Sequence, residues 1–390
     1  MSGTKAIAVI AGASLGLAHG ALAQSQVDQS RAYQAEMMRD ADARSSYAQG
    51  DLSPTLFGQI QIRYTANSRD DAGLDEEFTH GFSNRRTKIG ARGGNDQWAY
   101  KVNGGFSRAG GGFSLEDAFV DYTVNENWMV KVGQFKLPLF YEESMSSKRQ
   151  LAADRSLSNE MFNQDRSQGI MATWDNLENF RVQVAASDGV ATANTDFDSD
   201  SEADYGFSGR VDWKDGDWRD LDDFTSEPNG NQALRVGVFG HFQDGGSTGG
   251  FTEDVQVWVG GVDAQWEKAG WSAFASAAWI HSDVDMGDEA DDFAFVLQGG
   301  YRFDQQDEVF ARGSVVLLDD RTGFDLEDQI ELLVGYNHYF DGHATKFTVD
   351  AGVFLEPTND TLLPRDTSVG ILPAAGDPQF VVRAQLQVLF

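Results

Sequence analysis

The sequence predicts an all-β fold, a transmembrane antiparallel β-barrel of about 16 strands with a short N-terminal periplasmic helix. Three features predict it: the alternation in the last segment, its recurrence along the chain and an export signal at the start. From Phe380 to Phe390 every second residue is apolar, while Gln387, Gln385 and Arg383 lie on the opposite face. A tilted strand needs about ten residues to cross a bilayer core. For this segment alone, an edge strand of a soluble sandwich is the alternative, because soluble antiparallel strands alternate too.

The first 23 residues have the organisation of a secretory signal peptide. Lys5 precedes a small and apolar run from Ala6 to Leu22, and an A-x-A cleavage site lies at Ala21–Ala23. We therefore expect residues 1–23 to be removed on export to the outer membrane of a Gram-negative-type bacterium. No other stretch reaches the ~18 consecutive apolar residues of a membrane helix, so a membrane protein of this sequence must cross with strands.

The composition limits both the stabilising chemistry and the partners. Among 390 residues there is no Cys, so an exported protein of this sequence depends on hydrogen bonds and packing rather than disulfides. The formal net charge of −31 argues against nucleic-acid binding. The 42 Gly and 27 Phe suit close-packed strands and aromatic girdles, so outer-membrane lipid is the expected surrounding.

Two acidic runs, 196–204 and 283–292, are predicted to be solvated loops. In the first run, three aspartates have the spacing found at the start of an EF-hand. Ser201 and Phe207 occupy the positions where that motif needs glycine and glutamate, so weak binding of a divalent cation is the most that the run supports. We assign no metal site and expect no cofactor.

The chain divides into three parts. Residues 1–23 are the signal peptide, residues 24–50 a periplasmic helix or flexible tether, and residues 51–390 the barrel domain. In the second part no Gly or Pro occurs before Gly50, and a thin apolar stripe would allow a short oligomeric coiled coil. In the third part, Leu56, Gly58, Ile60, Ile62 and Tyr64 alternate with Gln59, Gln61 and Arg63, and about sixteen such segments follow one another.

One connection has no alternation. Between Lys136 and Arg166 lie about thirty residues of mixed charge, and we expect a long loop over residues 137–167. A loop of this length is either extracellular or folded into the lumen, where it would form the constriction of a pore.

The stretch from Phe82 to Gly189 resembles the phosphate-selective porin family, the porins O and P. The motifs that carry the resemblance are Arg85–Gly94, Leu115–Tyr122, Val132–Lys136, Ser146–Lys148, Asp154–Leu157 and Gln168–Ile170, together with the terminal Phe390. The resemblance implies a trimer of sixteen-stranded barrels with an infolded third loop and a basic constriction that attracts anions. Phe390 is the expected C-terminal signal for the barrel-assembly machinery.

The resemblance and the local charge pattern indicate which residues form the constriction. Arg86 and Lys88 alternate onto one face with Asn84 and Arg92, which we take as the luminal face. The expected anion-binding residues are Arg63, Arg85, Arg86, Lys88, Arg92, Lys148, Arg149 and Arg155. The expected acidic partners are Glu116, Glu142 and Glu143.

Two residues depart from the family pattern, since Gln59 stands where an arginine is expected and Glu143 where a lysine is expected. Together they remove about three units of positive charge, so the residues do not themselves imply tight phosphate binding. An alternative role for the basic residues is to pair with Glu116, Glu142, Glu143 and Asp117 and brace the loop against the wall.

The function expected first is passive diffusion of small solutes, with a bias toward anions such as phosphate. The alternatives are a non-specific, cation- or sugar-conducting porin, and a structural or adhesive barrel without conductance. No enzyme is expected, because five histidines outside the signal peptide show neither ligand spacing nor a nucleophile partner: His80, His241, His281, His338 and His343.

Overall fold

The computed structural model describes residues 52–70, 78–108, 110–247, 254–284, 287, 289–320, 327–358, 369–372 and 378–390. The predicted signal peptide and periplasmic helix lie outside these residues. Within them, sixteen strands form one closed barrel. In chain order they are β1 (Thr55–Ser68), β2 (Phe78–Gly94), β3 (Trp98–Phe106), β4 (Phe113–Thr123), β5 (Trp128–Lys136), β6 (Arg166–Asp175), β7 (Phe180–Ser187), β8 (Tyr205–Asp215), β9 (Ala233–Asp244), β10 (Val255–Lys268), β11 (Trp271–Val284), β12 (Glu289–Arg302), β13 (Asp307–Leu317), β14 (Gln329–Asp341), β15 (Thr345–Phe354) and β16 (Gln379–Leu389).

Every strand pairs antiparallel with its neighbours in sequence, and β1 pairs with β16 to close the barrel. At the seam Gly58 N donates to Phe390 O at 2.7 Å, and Phe390 N donates to Gly58 O at 3.1 Å. Closure leaves no free strand edge, so the backbone groups of the wall are paired within the sheet. The predicted sixteen-stranded antiparallel barrel is confirmed. No helix among the described residues is long and apolar enough to cross a membrane.

The two faces of the wall have opposite chemistry. In β16, Phe380, Val382 and Leu386 are exposed on the outer face, whereas Arg383 and Gln385 are buried in the lumen. The same division recurs in β8, where Phe207 and Val211 are exposed and Arg210 and Asp212 are buried. Apolar side chains outside and polar ones inside are the reverse of a soluble domain and suit a wall surrounded by lipid.

The connections differ in length at the two ends of the barrel. At one end six of the seven turns are short: 95–97, 124–127, 176–179, 269–270, 303–306 and 342–344. The opposite end carries the longest loops, 137–165, 188–204 and 355–378. Because barrels of this class have short periplasmic turns and long extracellular loops, the first end is periplasmic. The β8–β9 turn, residues 216–232, is the exception and contains a 3₁₀ turn at Trp218–Leu221.

The β5–β6 loop, residues 137–165, lies inside the barrel. It contains two short helices, α1 (Tyr141–Ser144) and α2 (Leu157–Phe162), and the Ser156 hydroxyl caps α2 by accepting from Asn159 N. The far wall holds the loop through its main chain. Asn337 Nδ2 donates to Leu151 O at 2.9 Å, and Lys346 Nζ donates to Gln150 O at 2.7 Å.

Candidate pore constriction

A β-bulge turns two consecutive arginines of β2 into the lumen. In the β1–β2 ladder Gln61 pairs with Arg86 and Ile62 with Asn84, so Arg85 is the extra residue. Consecutive residues of a regular strand point to opposite faces, and without the bulge only one of the two arginines could face the lumen. The expectation that Asn84 shares a face with Arg86 is wrong for the same reason, since Asn84 lies beside the outward-facing Ile62.

Three arginines converge on one carboxylate of the infolded loop. Arg63 Nη2 lies 2.8 Å from Asp154 Oδ2, Arg85 Nε lies 2.6 Å from the same oxygen, and Arg86 Nη2 lies 2.6 Å from Asp154 Oδ1. Burial alone would raise the pKa of Asp154, but the arginines hold the pKa well below its usual range. Asp154 is therefore a permanent anion that fixes the loop to β1 and β2.

A second bulge, in β4, turns two consecutive carboxylates, Glu116 and Asp117, into the lumen. Asn103 pairs with Asp117 and Gly104 with Leu115, so Glu116 is the extra residue. Lys88 Nζ lies 2.6 Å from Glu116 Oε1. Arg166 reaches both carboxylates, with Nη2 3.4 Å from Glu116 Oε2 and Nε 3.1 Å from Asp117 Oδ1. Two bulged strands thus place basic and acidic pairs on the same wall of the lumen.

Glu142 and Glu143 of α1 act within the loop itself. Glu143 lies 2.5 Å from Lys136 Nζ and 3.2 Å from Arg155 Nε, and these cations outweigh burial and lower the pKa of Glu143 to about 2. Glu142 accepts hydrogen bonds from Ser156 N at 2.7 Å and Ser156 Oγ at 2.6 Å, and burial raises its pKa. Both carboxylates are buried, so they tie the two helices together rather than line an aqueous path.

The remaining basic residues of the loop are also engaged. Arg155 donates to the carbonyls of Glu142 and Met145, at 3.0 and 2.8 Å. Arg149 forms an ion pair with Asp222 of the β8–β9 turn. Lys148 is half-buried near Arg149, and burial lowers the pKa of its amine to about 8.

Arg92 and Phe390 lie away from this cluster. The Arg92 guanidinium carbon is 5.0 Å from the ring centroid of Phe57, near the periplasmic end of β2. Phe390 ends the chain at the β1–β16 seam, where an added Cβ at Gly58 would lie 2.3 Å from its ring. Of the predicted basic residues, Arg63, Arg85 and Arg86 share Asp154 as their partner.

Sequence reasoning missed a series of ion pairs on the wall formed by β3–β7. Lys101 Nζ lies 2.8 Å from Asp117 Oδ2, Lys131 Nζ lies 3.5 Å from Asp121 Oδ1, and Arg181 Nε lies 3.1 Å from Asp175 Oδ2. Lys131 also lies over the Phe119 ring at 3.5 Å. The sequence contained a usable signal, since each pair joins inward-facing residues of opposite charge on two strands that follow one another in the chain.

The lumen is divided into an open half and a filled half. We call the lumen lined by β2–β7 the open half, because most of its basic side chains keep contact with water: the exposed fraction is 19% for Lys88, 37% for Lys101 and 19% for Arg181. We call the lumen lined by β8–β16 and β1 the filled half, because its inward-facing charges are buried below 9%, including Arg235, Arg312 and Arg383. Among the described residues, water contact of inward-facing charges is therefore concentrated in the open half.

Within the described ranges, no group of three or more His, Cys, Asp or Glu side chains is placed to hold a metal ion. The buried histidines contact other side chains: His241 contacts Ser208 and Gln243, and His343 contacts Asp223.

Comparison with known proteins identifies the fold and the family. The family described as phosphate-selective porin O and P matches residues 55–352. The barrel is similar to the anion-selective porin from Comamonas acidovorans, with a TM-score of 0.62, 16% identity and coverage of 87% of this chain and 99% of that chain. It is also similar to the outer-membrane channel DcaP of Acinetobacter baumannii, with a TM-score of 0.56, 12% identity and coverage of 88% and 99%.

A third similar structure is the trimer form of OmpT, an outer membrane protein of Vibrio cholerae, with a TM-score of 0.55, 13% identity and coverage of 87% and 99%. At these identities the likeness concerns the fold alone. A comparison with curated proteins finds no match. The family match spans most of the chain and coincides with the closed barrel and its infolded loop. The protein is therefore an outer-membrane channel and belongs to the phosphate-selective porin O and P family.

Proposed function

We propose that this porin conducts small solutes by passive diffusion with a preference for anions, phosphate among them. One observation carries the preference: in the ion pairs of the open half, the basic partner is usually the more exposed one. The exposed fractions are 37% for Lys101 against 10% for Asp117, 18% for Lys136 against 6% for Glu143, and 12% for Arg85 against 1% for Asp154. Permeating ions therefore meet the cationic end of these pairs.

Three pairs limit the size of the effect. Lys88 and Glu116 are almost equally exposed, at 19% and 20%, and both Glu116 and Asp165 are more exposed than their partner Arg166. At the loop, Arg63, Arg85 and Arg86 share Asp154, and Glu160 also acts on Arg85 and Arg86, so much of their positive charge is neutralised. The expected selectivity is moderate, as rings of partly neutralised cations give in a narrow pore.

The negative net charge of the chain does not oppose this preference. The formal charge of −31 belongs to the whole chain, and the acidic runs 196–204 and 283–292 account for part of it. Exposed charges beyond about 8 Å are largely screened at physiological ionic strength, whereas partly buried lysines and arginines in a narrow lumen are not. The local groups of the open half therefore set the field that a permeating ion experiences.

Phosphate is a suitable solute because of the donor geometry. Guanidinium groups match phosphate oxygens in pairs, and lysine ammonium groups act as compact charges. The extracellular part of the open half contains both kinds of donor, the guanidinium groups of Arg85 and Arg166 and the ammonium groups of Lys88 and Lys136. Their existing carboxylate partners compete with the solute, so we expect passage with weak binding rather than tight capture.

The same proposal covers the export, the oligomeric state and the membrane assembly of the chain. We expect residues 1–23 to be the signal peptide, residues 24–50 a periplasmic helix or tether, and residues 51–390 the barrel with its constriction loop. A homotrimer in outer-membrane lipid is supported by the trimer form of the similar Vibrio cholerae protein. Phe390 is the expected signal for the assembly machinery, and its exposed ring at the seam is accessible for recognition.

The test is single-channel current and reversal potential in a planar bilayer under a salt gradient, with chloride and then phosphate as the anion. The proposal expects an anion-selective current that phosphate reduces. A cation-selective current would show that the carboxylates set the field and would reject the anion preference. Absence of conductance from a folded barrel would favour the structural or adhesive alternative.

Selectivity variants localise the effect. Lys88→Gln should lower the anion-to-cation permeability ratio, whereas Lys268→Gln should leave it unchanged because Lys268 is exposed at the periplasmic end of β10, away from the lumen. Arg86→Glu and Lys148→Glu extend the test to the predicted loop contacts. Unchanged ratios in all three luminal variants would remove these residues from the account of selectivity.

A further inference from the structure

The β8–β9 turn is the long exception among the periplasmic turns, and it folds into the lumen. Leu221, Phe224 and Ser226 of this turn are fully buried, and Asp223 is nearly so. A turn that only joined two strands would be exposed at the membrane surface, as the four-residue turn 124–127 largely is. Burial of the β8–β9 turn therefore means that it occupies space inside the barrel.

The turn meets the infolded β5–β6 loop from the opposite end of the barrel. Tyr141 Oη donates to Leu221 O at 2.5 Å, and Arg149 forms its ion pair with Asp222. The rings of Tyr141 and Phe224 lie 6.3 Å apart in an edge-on arrangement. A periplasmic segment and an extracellular loop thus form one continuous obstruction.

The wall of the filled half fixes the turn on its other side. The Phe224 ring lies 4.8 Å from the Phe274 ring of β11. Asp223 Oδ2 lies 3.3 Å from His343 Nε2 in the β14–β15 turn, and the Thr225 hydroxyl lies 3.0 Å from Tyr339 Oη. The contacts reach β11, β14 and the β14–β15 turn, so the segment extends across the periplasmic end of the filled half.

The open half shows the contrasting arrangement. Trp218, the first residue of the 3₁₀ turn, borders this half, with the Arg181 guanidinium carbon 4.3 Å from its ring centroid. The turn therefore has one edge at the water-accessible wall and its bulk over the buried wall. Among the described residues, no other periplasmic turn between strands is as long.

We propose that the β8–β9 turn and the β5–β6 loop together partition the lumen, so that solutes pass only along the β2–β7 wall and the turn sets the exclusion size at the periplasmic exit. This inference rests on the proposed channel function. It assigns the exit of the path to Lys131, Arg181 and Trp218, which neither the motifs nor the family resemblance singled out. It also explains why inward-facing charges of β8–β16 have little water contact although they line a barrel.

The absence of Cys from the chain makes the partition directly measurable, because single cysteines report local accessibility. Ser272→Cys lies on the inward face of β11 at 5% exposure, two residues before the Phe274 that packs against the turn, and Lys101→Cys lies on the open wall. In the full-length protein, a charged thiosulfonate reagent should modify Lys101→Cys and reduce the current, and it should leave Ser272→Cys unmodified. Modification of both at similar rates would overturn the partition.

Shortening the turn tests its role. Deletion of residues 218–227 should render Ser272→Cys reactive and raise conductance about 1.5-fold or more, because part of the barrel cross-section becomes available to ions. Ser272→Cys that stays unreactive at unchanged conductance would reject the turn as a constriction. A second variant, Asp222→Ala with Phe224→Ala, keeps the chain length and removes the carboxylate that pairs with Arg149 and the ring that packs against Tyr141 and Phe274. It should show the same two changes if the deletion fails to fold.

The outcomes are distinguishable from failure of the proposed function. A barrel that conducts no ions, or only cations, rejects the proposed anion channel whatever the labelling pattern. An anion-selective current with both cysteines equally reactive leaves that function intact and rejects only the partition.

Discussion

The open half and the filled half of the lumen contain the same kinds of charged side chain but use them differently. In the filled half, Arg235 Nη1 lies 2.8 Å from Asp212 and Asp263, and it is fully buried. In the open half, Lys101 pairs with Asp117 at the same distance of 2.8 Å and remains partly in water. Exposure rather than pairing distance therefore separates ion pairs that hold the fold from ion pairs that act on a passing solute.

The physical reason is the difference in solvation. A buried charge whose partner is removed keeps its desolvation cost, so breaking such a pair is strongly destabilising. An exposed pair contributes little to stability because water and salt already solvate both groups. The two halves should consequently respond to charge removal with different observables, stability in one and selectivity in the other.

The largest effect is expected at Asp154, where the loop joins the wall. Asp154→Ala leaves Arg63, Arg85 and Arg86 without their shared carboxylate, and loss of one partner from a buried charge cluster costs about 3–5 kcal/mol. We expect a lower denaturant midpoint and frequent closing events in single-channel records as the loop moves. Asp165→Asn is the control, because Asp165 ends the same loop and is 48% exposed. Equal midpoints for the two variants would contradict the anchoring role.

Arg235→Met should separate stability from selectivity in the filled half. The substitution removes the buried partner of Asp212 and Asp263 and the contact of the guanidinium with the Tyr141 ring. We expect a loss of about 3 kcal/mol in the free energy of unfolding. The reversal potential should not change, since the site has no water contact. A shifted reversal potential at unchanged stability would show that the path enters the filled half.

Lys101→Gln should give the opposite result in the open half. A unit charge ~6 Å from a permeating ion contributes about 1.4 kcal/mol at an effective dielectric constant of ~40, which corresponds to about a tenfold change in permeability ratio. The anion-to-cation ratio should fall by about this factor, and the effect should weaken in high salt. The free energy of unfolding should stay within ~1 kcal/mol of the wild-type value. A destabilised variant with unchanged selectivity would show that ion pairs of the open half stabilise the fold in the same way as those of the filled half.

The sequence predicted the wall far better than the contents of the lumen. Period-two alternation is local, so Gln59, Gln61 and Arg63 could be assigned to one face of β1 without knowledge of their partners. The bulges at Arg85 and Glu116 break that period, and no local pattern announced them. Asp154 lies 91 residues from Arg63 along the chain, so its role depends on where the loop folds.

The bracing alternative named Glu116, Glu142, Glu143 and Asp117 as partners of the basic residues without assigning individual pairs. In the structure Glu143 pairs with Arg155 and Lys136, and Asp154, which was not among the expected acids, joins the loop to β1 and β2. The β8–β9 turn carries no sequence pattern that distinguishes an infolded segment from an exposed one. Its position follows from contacts with Arg149, Phe274 and His343, all distant in the chain.

The smallest effect concerns pH and the docking of the β8–β9 turn. Burial lowers the pKa of His343 to about 4, although the nearby Asp223 partly offsets it, and Lys346 and Arg149 also oppose protonation. A histidine released to water has a pKa of about 6.5, so below that pH the released state binds a proton that the docked state does not. Docking should therefore weaken by at most about 1.4 kcal/mol per pH unit as pH falls from about 6.5 to about 4.

We expect this weakening as a gradual rise in conductance between pH 7 and pH 4.5 in the wild type. His343→Gln keeps a polar side chain beside Asp223 and cannot titrate, so its conductance should be flat over that range. The Asp154 anchor remains ionised throughout, because the pKa of its carboxyl is well below this window. A pH response of equal size in His343→Gln would place the titrating group on the open wall and would show that the boundary between the halves is not controlled by the turn.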